Sequence, residues 1–561
     1  MKNIFSILLA LSLLLASVSA SIQVIALNSE NDAGENTIAA IAAIEQLLSN
    51  RDYVPGQIIF RTQDGVGEFL QTAILESIDM VMDLDAIQAH GTFICTEDGS
   101  LPYFDLDFAN NFFAITVPEE LMRSVLIALK LNPYIKYAAP NYITKYRISD
   151  VTTDLAPEGS GTSNSGYDSL TSVYAMNLVG VKEAWEKGFT GSSSETPVVR
   201  VGVIDTGYTP HIDIDTVAYT YAYNAALNSY DYTTLTDTDG HGTAMIGIMG
   251  ATLNAEGTNG VLKHSDDVQS NVRIYPIKVV GSYPSEGWDV LSEIDVAIKN
   301  ALTYAQNNNL DIVSMSLGMH TNLRDAVEGI YDGLLVVPAG NDNDDIYYDS
   351  SCRGYMNDDP NWIVVGVSDS EDSIGPWPLG SEGDEWGSNW SQQYVDLFAP
   401  GYEIATTHKN ETGYILASGS SCSVPFVTAS AVIIMTHATQ YRDNPEALIE
   451  LLCATVDQQP WLSEKCVSGG RLSLINAVEY LYNEQRPRTY PGAHSKGDIS
   501  GDGYIKEEDA ALIKAYLLGT ETLTYAQQQA ADVDGNGVIN VIDYSKVKKF
   551  ANQTYYFPPA Y

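Results

Sequence analysis

The residue best placed for nucleophilic chemistry is Ser421, which lies in a turn of small residues, Gly419 to Ser423, ahead of a long apolar stretch. The stretch predicts a buried helix with Ser421 at its N-terminus, and Pro425 is expected near the first turn. Unpaired backbone N–H groups and the positive end of the helix dipole stabilise the oxyanion that forms when a hydroxyl attacks a carbonyl. Serine is also a common N-cap, so a structural role is the alternative interpretation of this motif alone.

Two glycine-bearing motifs upstream contain the partners that such a serine needs. Asp205 ends an apolar stretch and is followed by Thr-Gly, whereas His241 lies between Asp-Gly and Gly-Thr, ahead of small apolar residues that predict a helix. A serine hydroxyl is too weak an acid to attack unaided, so a histidine must take its proton and a carboxylate must hold and stabilise the imidazole. A lone histidine before a helix is more often structural, but the three residues together predict nucleophilic catalysis.

The elements that must position these residues alternate from about residue 174 onward. Short segments rich in β-branched residues are typical of strands that a parallel sheet buries on both faces. The predicted strands are Val198–Ile204, Ile274–Val280, Ile312–Leu317, Leu334–Val337 and Trp362–Val367. Helical spacing of apolar residues from Val290 to Ala305 predicts a helix between the second and third strands. The predicted class is α/β, and functional groups in such sheets collect at the carboxyl ends of strands, where Asp205 lies.

The joint pattern resembles the subtilisin-like serine proteases of the S8 family, over residues of about 170 to 480. Asp205-Thr-Gly, His241-Gly-Thr and Gly419-Ser-Ser-Cys-Ser-Val-Pro425 are similar to that family's three catalytic motifs, in the same chain order. The resemblance implies an Asp-His-Ser triad, a side-chain oxyanion donor and a segment that pairs with substrate backbone. These are, respectively, Asp205, His241 and Ser421; Asn341; and Ser316, Leu317 and Gly318.

Several positions depart from that family's usual residues. Ala244 and Phe426 replace histidines, Cys422 replaces a methionine, and Met319–Asn322 replaces a more open loop. None of these changes removes a triad atom, so they bear on substrate preference and rate. Cys422, next to the nucleophile, is expected to be buried or disulfide-bonded rather than reactive.

The N-terminus has the pattern of an export signal. Residues 1–20 combine Lys2, an apolar run from Ile4 to Ala16, and small residues before a predicted cleavage near Ser21. The run is shorter than the roughly 18–20 apolar residues of a membrane span. The sequence therefore predicts a secreted, extracellular protein without a membrane span.

The charge balance limits the partners of the chain. Its 561 residues include 72 acidic and 29 basic ones, for a formal charge of −43. Nucleic acids and anionic membranes are bound by basic surfaces, so neither is an expected partner. The five cysteines leave at least one unpaired if all bonds are internal, and the pairings considered are Cys453 with Cys466 and Cys352 with Cys422.

Residues 21–147 alternate helical and strand patterns, which predicts a small α+β domain. Val54-Pro-Gly-Gln-Ile-Ile59 and Asn132–Tyr142 are similar to the start and end of the inhibitory propeptide of subtilisin-like proteases. The resemblance implies a ferredoxin-like fold that inhibits the protease and is removed by autolysis; a permanent accessory domain is the alternative. Residues 148–168, rich in Ser, Gly, Thr and Asp, are predicted to be a linker or cleavage zone.

A motif occurs twice near the C-terminus, after a predicted linker at 483–496. Both copies place oxygen-bearing residues at loop positions 1, 3, 5 and 12 and glycine at position 6. Calcium takes six to eight oxygen ligands, and the chain must turn sharply to supply them. The predicted ligands are Asp498, Ser500, Asp502, Tyr504 and Asp509 in the first loop, and Asp532, Asp534, Asn536, Val538 and Asp543 in the second.

The repeated motif resembles a type I dockerin, a small all-α module that attaches an enzyme to a cohesin of a scaffold protein. Position 12 is aspartate in both loops, and no helix-length apolar pattern precedes either loop. The two halves carry different residues at the positions that the resemblance assigns to the partner, so two-way binding is in doubt. The implied partner-binding residues are Lys514, Val541, Ile542, Lys548 and Lys549.

The sequence thus predicts a secreted serine endopeptidase with an α/β subtilisin-like fold, a parallel sheet with helices on both faces, attached to a scaffold, and so to a cell surface, by its dockerin. Its expected partners are protein substrates, a cohesin and its own propeptide. A catalytically weak homologue with a binding role and a scaffold-free, calcium-stabilised protease are the alternatives. The predicted segments are the signal peptide (1–20), propeptide (21–147), cleavage zone (148–168), catalytic domain (169–482), linker (483–496), dockerin (497–552) and tail (553–561).

Overall fold

The structure is a computed structural model of the chain. It describes residues 44–45, 48, 53–68, 70–72, 74–75, 105–107, 111–117, 119–145, 153–155, 173–192, 198–218, 221–252, 257–262, 271–283, 288–318, 321–346, 359–379, 384–482, 497, 499–500, 506–523, 525–533 and 538–551. The predicted signal peptide, the linker at 483–496 and the tail at 553–561 lie outside the described residues, as does Cys352.

The described part of the N-terminal unit includes an antiparallel sheet and a helix that packs on it. It contains β1 (Tyr53–Thr62), β2 (Asp105–Asp107), β3 (Phe112–Thr116), α1 (Glu119–Leu131) and β4 (Ile135–Lys145). β1 lies between β3 and β4 and pairs antiparallel with both. α1 packs against β1 and β4, over a core in which the rings of Phe60 and Phe113 stack with centroids 5.0 Å apart.

The main unit follows β5 (Thr153–Leu155). Its helices are α2 (Val173–Val179), α3 (Val181–Glu186), α4 (His241–Gly250), α5 (Asp295–Asn307), α6 (Thr321–Val327), α7 (Ser420–His437), α8 (Pro445–Ala454) and α9 (Leu474–Tyr482). Its strands are β6 (Val199–Asp205), β7 (Tyr223–Asn224), β8 (Val272–Lys278), β9 (Val280–Tyr283), β10 (Trp288–Ile294), β11 (Ile312–Met315), β12 (Leu334–Pro338), β13 (Trp362–Ser368), β14 (Trp377–Leu379), β15 (Asp384–Trp386), β16 (Leu397–Pro400), β17 (Ile404–Thr407), β18 (Tyr414–Ala417), β19 (Asp457–Gln458) and β20 (Gly470–Arg471).

Within the described residues, the central sheet has the strand order β19-β20-β16-β13-β12-β11-β6-β8-β7, and the strands from β16 to β7 pair in parallel. Successive side chains of a strand point to opposite faces, so both faces of this sheet must be covered. Val336 lies in the core with α4 and α7, whereas Leu335 and Val337 lie in the core with α5 and α6. The predicted α/β class, with a parallel sheet between two layers of helices, is confirmed.

Helix α7 runs through the first of these cores. Residues on every face of this helix are buried, which is typical of a helix inside a large protein. It is long and apolar enough to cross a membrane, but 89% of that stretch is buried inside the protein. Pro425 is its sixth residue, one turn later than expected, so the carbonyl of Ser421 has no backbone N–H four residues ahead to accept.

The helix predicted over 290–305 begins later than expected. Trp288–Ile294 forms strand β10, and α5 starts at Asp295. The reason is tertiary: residues 292–294 pair antiparallel with residues 143–145 at the end of β4. This pairing joins β9 and β10 to the N-terminal sheet, whose described strand order is β2-β3-β1-β4-β10-β9. A backbone pairing between distant segments overrode the local helical spacing.

The predicted cleavage zone contains a strand. β5 pairs antiparallel with β18, Thr153 opposite Leu416 and Leu155 opposite Tyr414, and completes a sheet with β17. Its composition offers little to bury, so the edge hydrogen bonds of β18 rather than local propensity explain the strand.

The C-terminal unit contains α10 (Glu507–Leu517), α11 (Tyr525–Ala531) and α12 (Val541–Ala551). α10 and α12 pack against each other over a small core that includes Ile499, Ile513 and Val547. The seven-residue helix α11 precedes the second loop, although the sequence has no helix-length apolar pattern there. Its residues Tyr-Ala-Gln-Gln-Gln-Ala-Ala carry too few large apolar side chains to give a periodic pattern.

Candidate active site

Asp205 is the last residue of β6 and lies at the carboxyl edge of the central sheet. Its side chain is 1% exposed, and its Oδ1 accepts the backbone N–H of Thr206 at 2.7 Å. The same oxygen lies 2.7 Å from His241 Nδ1. A proton on Nδ1 that is donated to this carboxylate fixes the tautomer in which Nε2 is the base.

His241 is the first residue of α4, so the sharp turn before the helix sets its direction. Gly240 makes that turn with φ of 113°, a backbone conformation that favours glycine. A Cβ at Gly242 would lie 2.3 Å from the carbonyl oxygen of Gly207. The two motifs therefore reach hydrogen-bonding distance only because residue 242 has no side chain.

The charges around His241 favour its protonated form. Burial lowers the pKa of the imidazole, but the charge and hydrogen bond of Asp205 and the charges of Asp239 and Asp237 outweigh burial and raise that pKa above 6.5. Opposite charges nearby stabilise an imidazolium. His241 therefore accepts a proton more readily than a free histidine does, which suits a general base.

Ser421 is the second residue of α7, directly after the turn at Gly419. Pro425 has no N–H to donate to the carbonyl of Ser421, and this carbonyl instead accepts the hydroxyl of Ser316 at 3.0 Å. The hydroxyl of Ser421 donates to the carbonyl of Ser316 at 3.4 Å. These two contacts fix the first turn of α7 against the segment that follows β11.

The strand register places the His241–Asp205 pair beside the Ser421–Ser316 pair. β11 and β6 are parallel neighbours with Met315 opposite Ile204, so Ser316 and Asp205 follow at adjacent strand ends. Ser421 contacts the first and His241 contacts the second. In addition, α4 and α7 pack against each other. The arrangement thus anchors all three predicted catalytic residues to neighbouring positions on the same edge of the sheet.

Asn341 follows β12, the next strand of the sheet. Its side-chain Oδ1 accepts the backbone N–H of Ser420 at 2.8 Å, which holds the amide beside the first turn of α7. Asn389, which is fully buried, accepts the N–H of Asp342 at 2.9 Å and holds the same loop from the other side. A fixed amide beside a helix N-terminus is the arrangement that an oxyanion hole needs. In the predicted substrate segment, Leu317 is buried and lies between Ser316 and Gly318 in the chain.

The departures from the family's usual residues lie together in the protein. Ala244, Cys422 and Phe426 are all buried in the core shared by α4 and α7. Cys422 is buried and is not disulfide-bonded, in agreement with the expectation that it is buried rather than reactive. These side chains pack α4 on α7.

Cys453 and Cys466 are free thiols, so the pairing considered between them is wrong for this structure. Cys466 instead lies near the carbonyls of Leu462 and Gly470, 3.7 Å from each. Burial raises the pKa of Cys466 to about 11 and that of Cys453 well above its usual value. Both remain protonated at neutral pH and are poor nucleophiles.

The described part of the predicted calcium loops shows one repeated feature. Asp509 and Asp543, at position 12 of each loop, are fully buried. Asp509 accepts the N–H groups of Ser500 and Lys506 at 2.8 and 2.7 Å, and Asp543 accepts those of Val533 and Asn540 at 3.0 and 2.9 Å. Asp532 and Val538 are also among the described residues, whereas Asp498, Asp502, Tyr504, Asp534 and Asn536 lie outside them.

The predicted partner-binding residues lie on the helices that flank these loops. Val541 and Ile542, at the start of α12, are 68% and 53% exposed, which is unusual for large apolar residues. Lys514 on α10 and Lys548 on α12 are also exposed, and Lys549 follows Lys548 in the helix. Exposed apolar residues flanked by cations suit a protein partner.

Asp237 is a residue of this site that the sequence reading missed. It is buried, and its carboxylate accepts hydrogen bonds from both the Asp205 motif and the His241 motif. The only clue in the sequence is its place in Asp237-Thr-Asp-Gly-His241, where an acidic turn would ordinarily be taken as solvent-exposed.

Comparison with known proteins places this geometry in a family. The subtilase family matches residues 197–470, which include Asp205, His241, Asn341 and Ser421. Residues 197–470 form a subtilase domain. Residues 496–552 match the dockerin type I domain, so a dockerin follows the subtilase domain in the same chain.

Individual relatives agree with this assignment. The chain is similar to minor extracellular protease Epr of Bacillus subtilis (28% identical over 346 residues, 60% of this chain), and the match spans 44% of Epr. It is also similar to subtilisin DY of Bacillus licheniformis (29% identical over 268 residues, 47% of this chain and 84% of subtilisin DY).

A solved structure supports the fold. The crystal structure of the epidermin leader peptide processing serine protease of Staphylococcus aureus matches 77% of this chain and 99% of its own, with a TM-score of 0.51 and 16% identity. The subtilisin-like fold expected of the catalytic domain is thereby confirmed.

Proposed function

We propose that this chain is a secreted serine endopeptidase in which Asp205, His241 and Ser421 form the catalytic triad. The observation that carries the proposal is the anchoring of His241 and Ser421 to adjacent strand ends, through Asp205 and Ser316. The match of residues 197–470 to the subtilase family supports the reaction class.

In this mechanism, the hydroxyl of Ser421 attacks the carbonyl carbon of a peptide bond while Nε2 of His241 takes its proton. Asp205 holds the ring and stabilises the imidazolium. Asn341 and the N-terminus of α7 stabilise the oxyanion. His241 then gives its proton to the leaving amine. In the second half of the reaction, water attacks the acyl-enzyme while His241 takes its proton, and His241 returns a proton to Ser421 as the acid product leaves.

An organofluorophosphonate probe tests this proposal, because it phosphonylates only a serine that is activated by a neighbouring base. We expect one adduct, on Ser421 by peptide mass spectrometry, and none on the folded His241→Ala variant. A folded wild-type chain that is not labelled would favour the catalytically weak homologue.

The N-terminal unit is proposed to be an inhibitory propeptide. Its sheet packs on α5 and α6: Phe112 lies 5.0 Å below the ammonium of Lys299, and Arg61 donates to the carbonyl of Glu328 at 2.6 Å. Lys136 forms an ion pair with the Glu328 carboxylate at 3.1 Å. These contacts, together with the pairing of β4 with β10, support an inhibitor that remains bound until it is cut.

The two flanking strands support a maturation site between them. β4 ends at Lys145, paired with β10, and β5 begins at Thr153, paired with β18, which ends four residues before Ser421. Residues 146–152 therefore connect two strands that pair with different partners, β10 and β18. We propose that autolysis cuts within 146–152, which lies outside the described residues.

The dockerin is proposed to attach the protease to a cohesin of an extracellular scaffold, with calcium bound in both loops. The buried carboxylates Asp509 and Asp543 fit calcium, because a buried charge needs a cation or donors and calcium prefers carboxylate oxygen. When bound, calcium would supply positive charge that offsets these buried carboxylates. The extracellular location is supported by the dockerin and by the similarity to an extracellular protease.

A binding assay on a panel of cohesins tests the attachment. In calcium, we expect Lys548→Ala and Val541→Asp each to weaken binding by at least tenfold, because both replace exposed residues of α12. Lys187→Ala, at the exposed residue that directly follows α3, is the control and leaves affinity unchanged. A calcium-loaded wild-type chain that binds no cohesin would favour a scaffold-free protease.

A further inference from the structure

Asp237 links the two motifs that hold the predicted catalytic pair. Its Oδ1 accepts the hydroxyl of Thr206 at 2.8 Å and the N–H groups of Asp239 and Gly240 at 3.2 and 2.8 Å. Its Oδ2 accepts the N–H and the hydroxyl of Thr243 at 2.9 and 2.8 Å. All five contacts are donors, so the group acts as a carboxylate, which accepts only.

Thr206 completes the link from the other side. While its hydroxyl donates to Asp237, the same oxygen accepts the N–H of Gly242 at 2.8 Å. Thr206 directly follows Asp205, and Gly242 directly follows His241. The hydrogen bonds therefore run between the immediate neighbours of the two residues whose side chains meet.

Burial makes this link stiff. Asp237 and Thr206 are each 2% exposed, and the interior strengthens hydrogen bonds to a charged acceptor. The close approach of Gly242 to Gly207 leaves no space in which the motifs could shift. Loss of the carboxylate would leave several buried donors unsatisfied, and the pair would lose its alignment.

We propose that Asp237 is a positioning residue of the active site, which fixes the His241–Asp205 pair through Thr206 and the first turn of α4. This inference rests on the proposed function. Asp237 also adds negative charge near His241, so it acts on the pair in two separable ways, by geometry and by charge. Misplacement of a catalytic group by about 1 Å can cost 10²-fold in rate.

Other charged groups face His241 from the surrounding elements. Asp205 lies on β6 and Asp239 in the preceding turn, where its Oδ1 accepts the N–H of His241 at 3.1 Å. Two cations lie near the same turn: Lys278 of β8 donates to the carbonyl of Thr236 at 2.6 Å, and Lys409 donates to that of Thr238 at 2.9 Å. Removal of the charge on Asp237 lowers the net negative charge around the imidazole.

Steady-state kinetics of the mature enzyme against pH separate the two effects. Asp237→Asn is expected to lower the plateau kcat about 10–100-fold with little change in KM. Because His241 must be neutral to act as a base, loss of a nearby negative charge also moves the acid limb of the kcat profile to lower pH. Asp231→Asn, an exposed aspartate upstream of the site, is the control that alters neither quantity.

Thr206→Val provides the second test. It removes the bridging hydroxyl but no charge, so we expect a lower plateau kcat with an unshifted acid limb, and Thr206→Ser restores the rate. If circular dichroism shows that Asp237→Asn does not fold, the Thr206→Val and Thr206→Ser variants test the positioning role instead. Folded Asp237→Asn and Thr206→Val enzymes with kcat within twofold of wild type would overturn the inference. An inactive, unlabelled wild-type chain would overturn the proposed function, and the inference with it.

Discussion

Replacement of Ser421 by alanine is expected to lower kcat for peptide hydrolysis by about 10⁶-fold, the scale known for removal of the nucleophile from subtilisin itself. The reason is that the alternative nucleophile, water, has no acyl-enzyme route and is not aligned with His241. The same variant should remain a full-length precursor, because the cut between β4 and β5 is proposed to be autocatalytic. Casein hydrolysis and N-terminal sequencing of purified protein measure both effects.

Asn341→Ala is the matched variant, because it removes an oxyanion donor and leaves the nucleophile. Its kcat is expected to fall about 10²–10³-fold, again the scale known from subtilisin. It should still mature, though slowly, and the wild-type N-terminus should fall within residues 146–153. A Ser421→Ala chain that cleaves casein at more than a tenth of the wild-type rate would refute the nucleophile, and one that matures normally when pure would refute autolysis alone.

The parts of the site that the sequence predicts are those with a short-range pattern. Asp205, His241 and Ser421 each stand in a glycine-bearing motif, because each lies where a strand or helix must begin or end sharply. β-branched segments predict the core strands within a few residues, since burial on both faces leaves little freedom of composition.

The parts that were not predicted depend on contacts between distant segments. Residues 290–294 have helical spacing but form β10, because the end of β4 pairs with it. Thr153–Leu155 is polar but forms β5, because β18 offers an open edge. Asp237 has the composition of an exposed turn and is buried only because the His241 and Asp205 motifs close around it. None of these facts can be read from local propensity or periodicity.

Pro425 links a short-range feature of the sequence to a contact between distant segments. The sequence indicates a proline close to the serine, but only the fold shows that the carbonyl it leaves without a helical donor is that of Ser421. The hydroxyl of Ser316 takes the place of the missing N–H. The predicted substrate segment and the predicted nucleophile are thus held together because the helix ladder is broken at that point.

Calcium removal is expected to unfold the C-terminal unit while the subtilase domain stays folded. The described core of the C-terminal unit is small: among its eight buried apolar residues, Ala510, Ala530 and Ala531 contribute little area. The carboxylates of Asp509 and Asp543 are also buried, and without a cation their charge opposes folding despite two backbone donors each. Calcium at 100 times its dissociation constant would add about 2.7 kcal/mol per independent site.

Hydrogen exchange on the full chain, with calcium or with EDTA, measures this effect. In calcium the amides of α10 and α12 should be protected, and in EDTA they should exchange at nearly the rate of an unfolded chain, whereas those of α7 stay protected as the internal control. Asp532→Ala should reduce protection more than Asp498→Ala, because the second loop has the better ligand set, with the carboxylate of Asp534 where the first has the hydroxyl of Ser500. Protection of α10 and α12 that is equal in EDTA and in calcium would show that the apolar core suffices, and that calcium is not needed for this unit to fold.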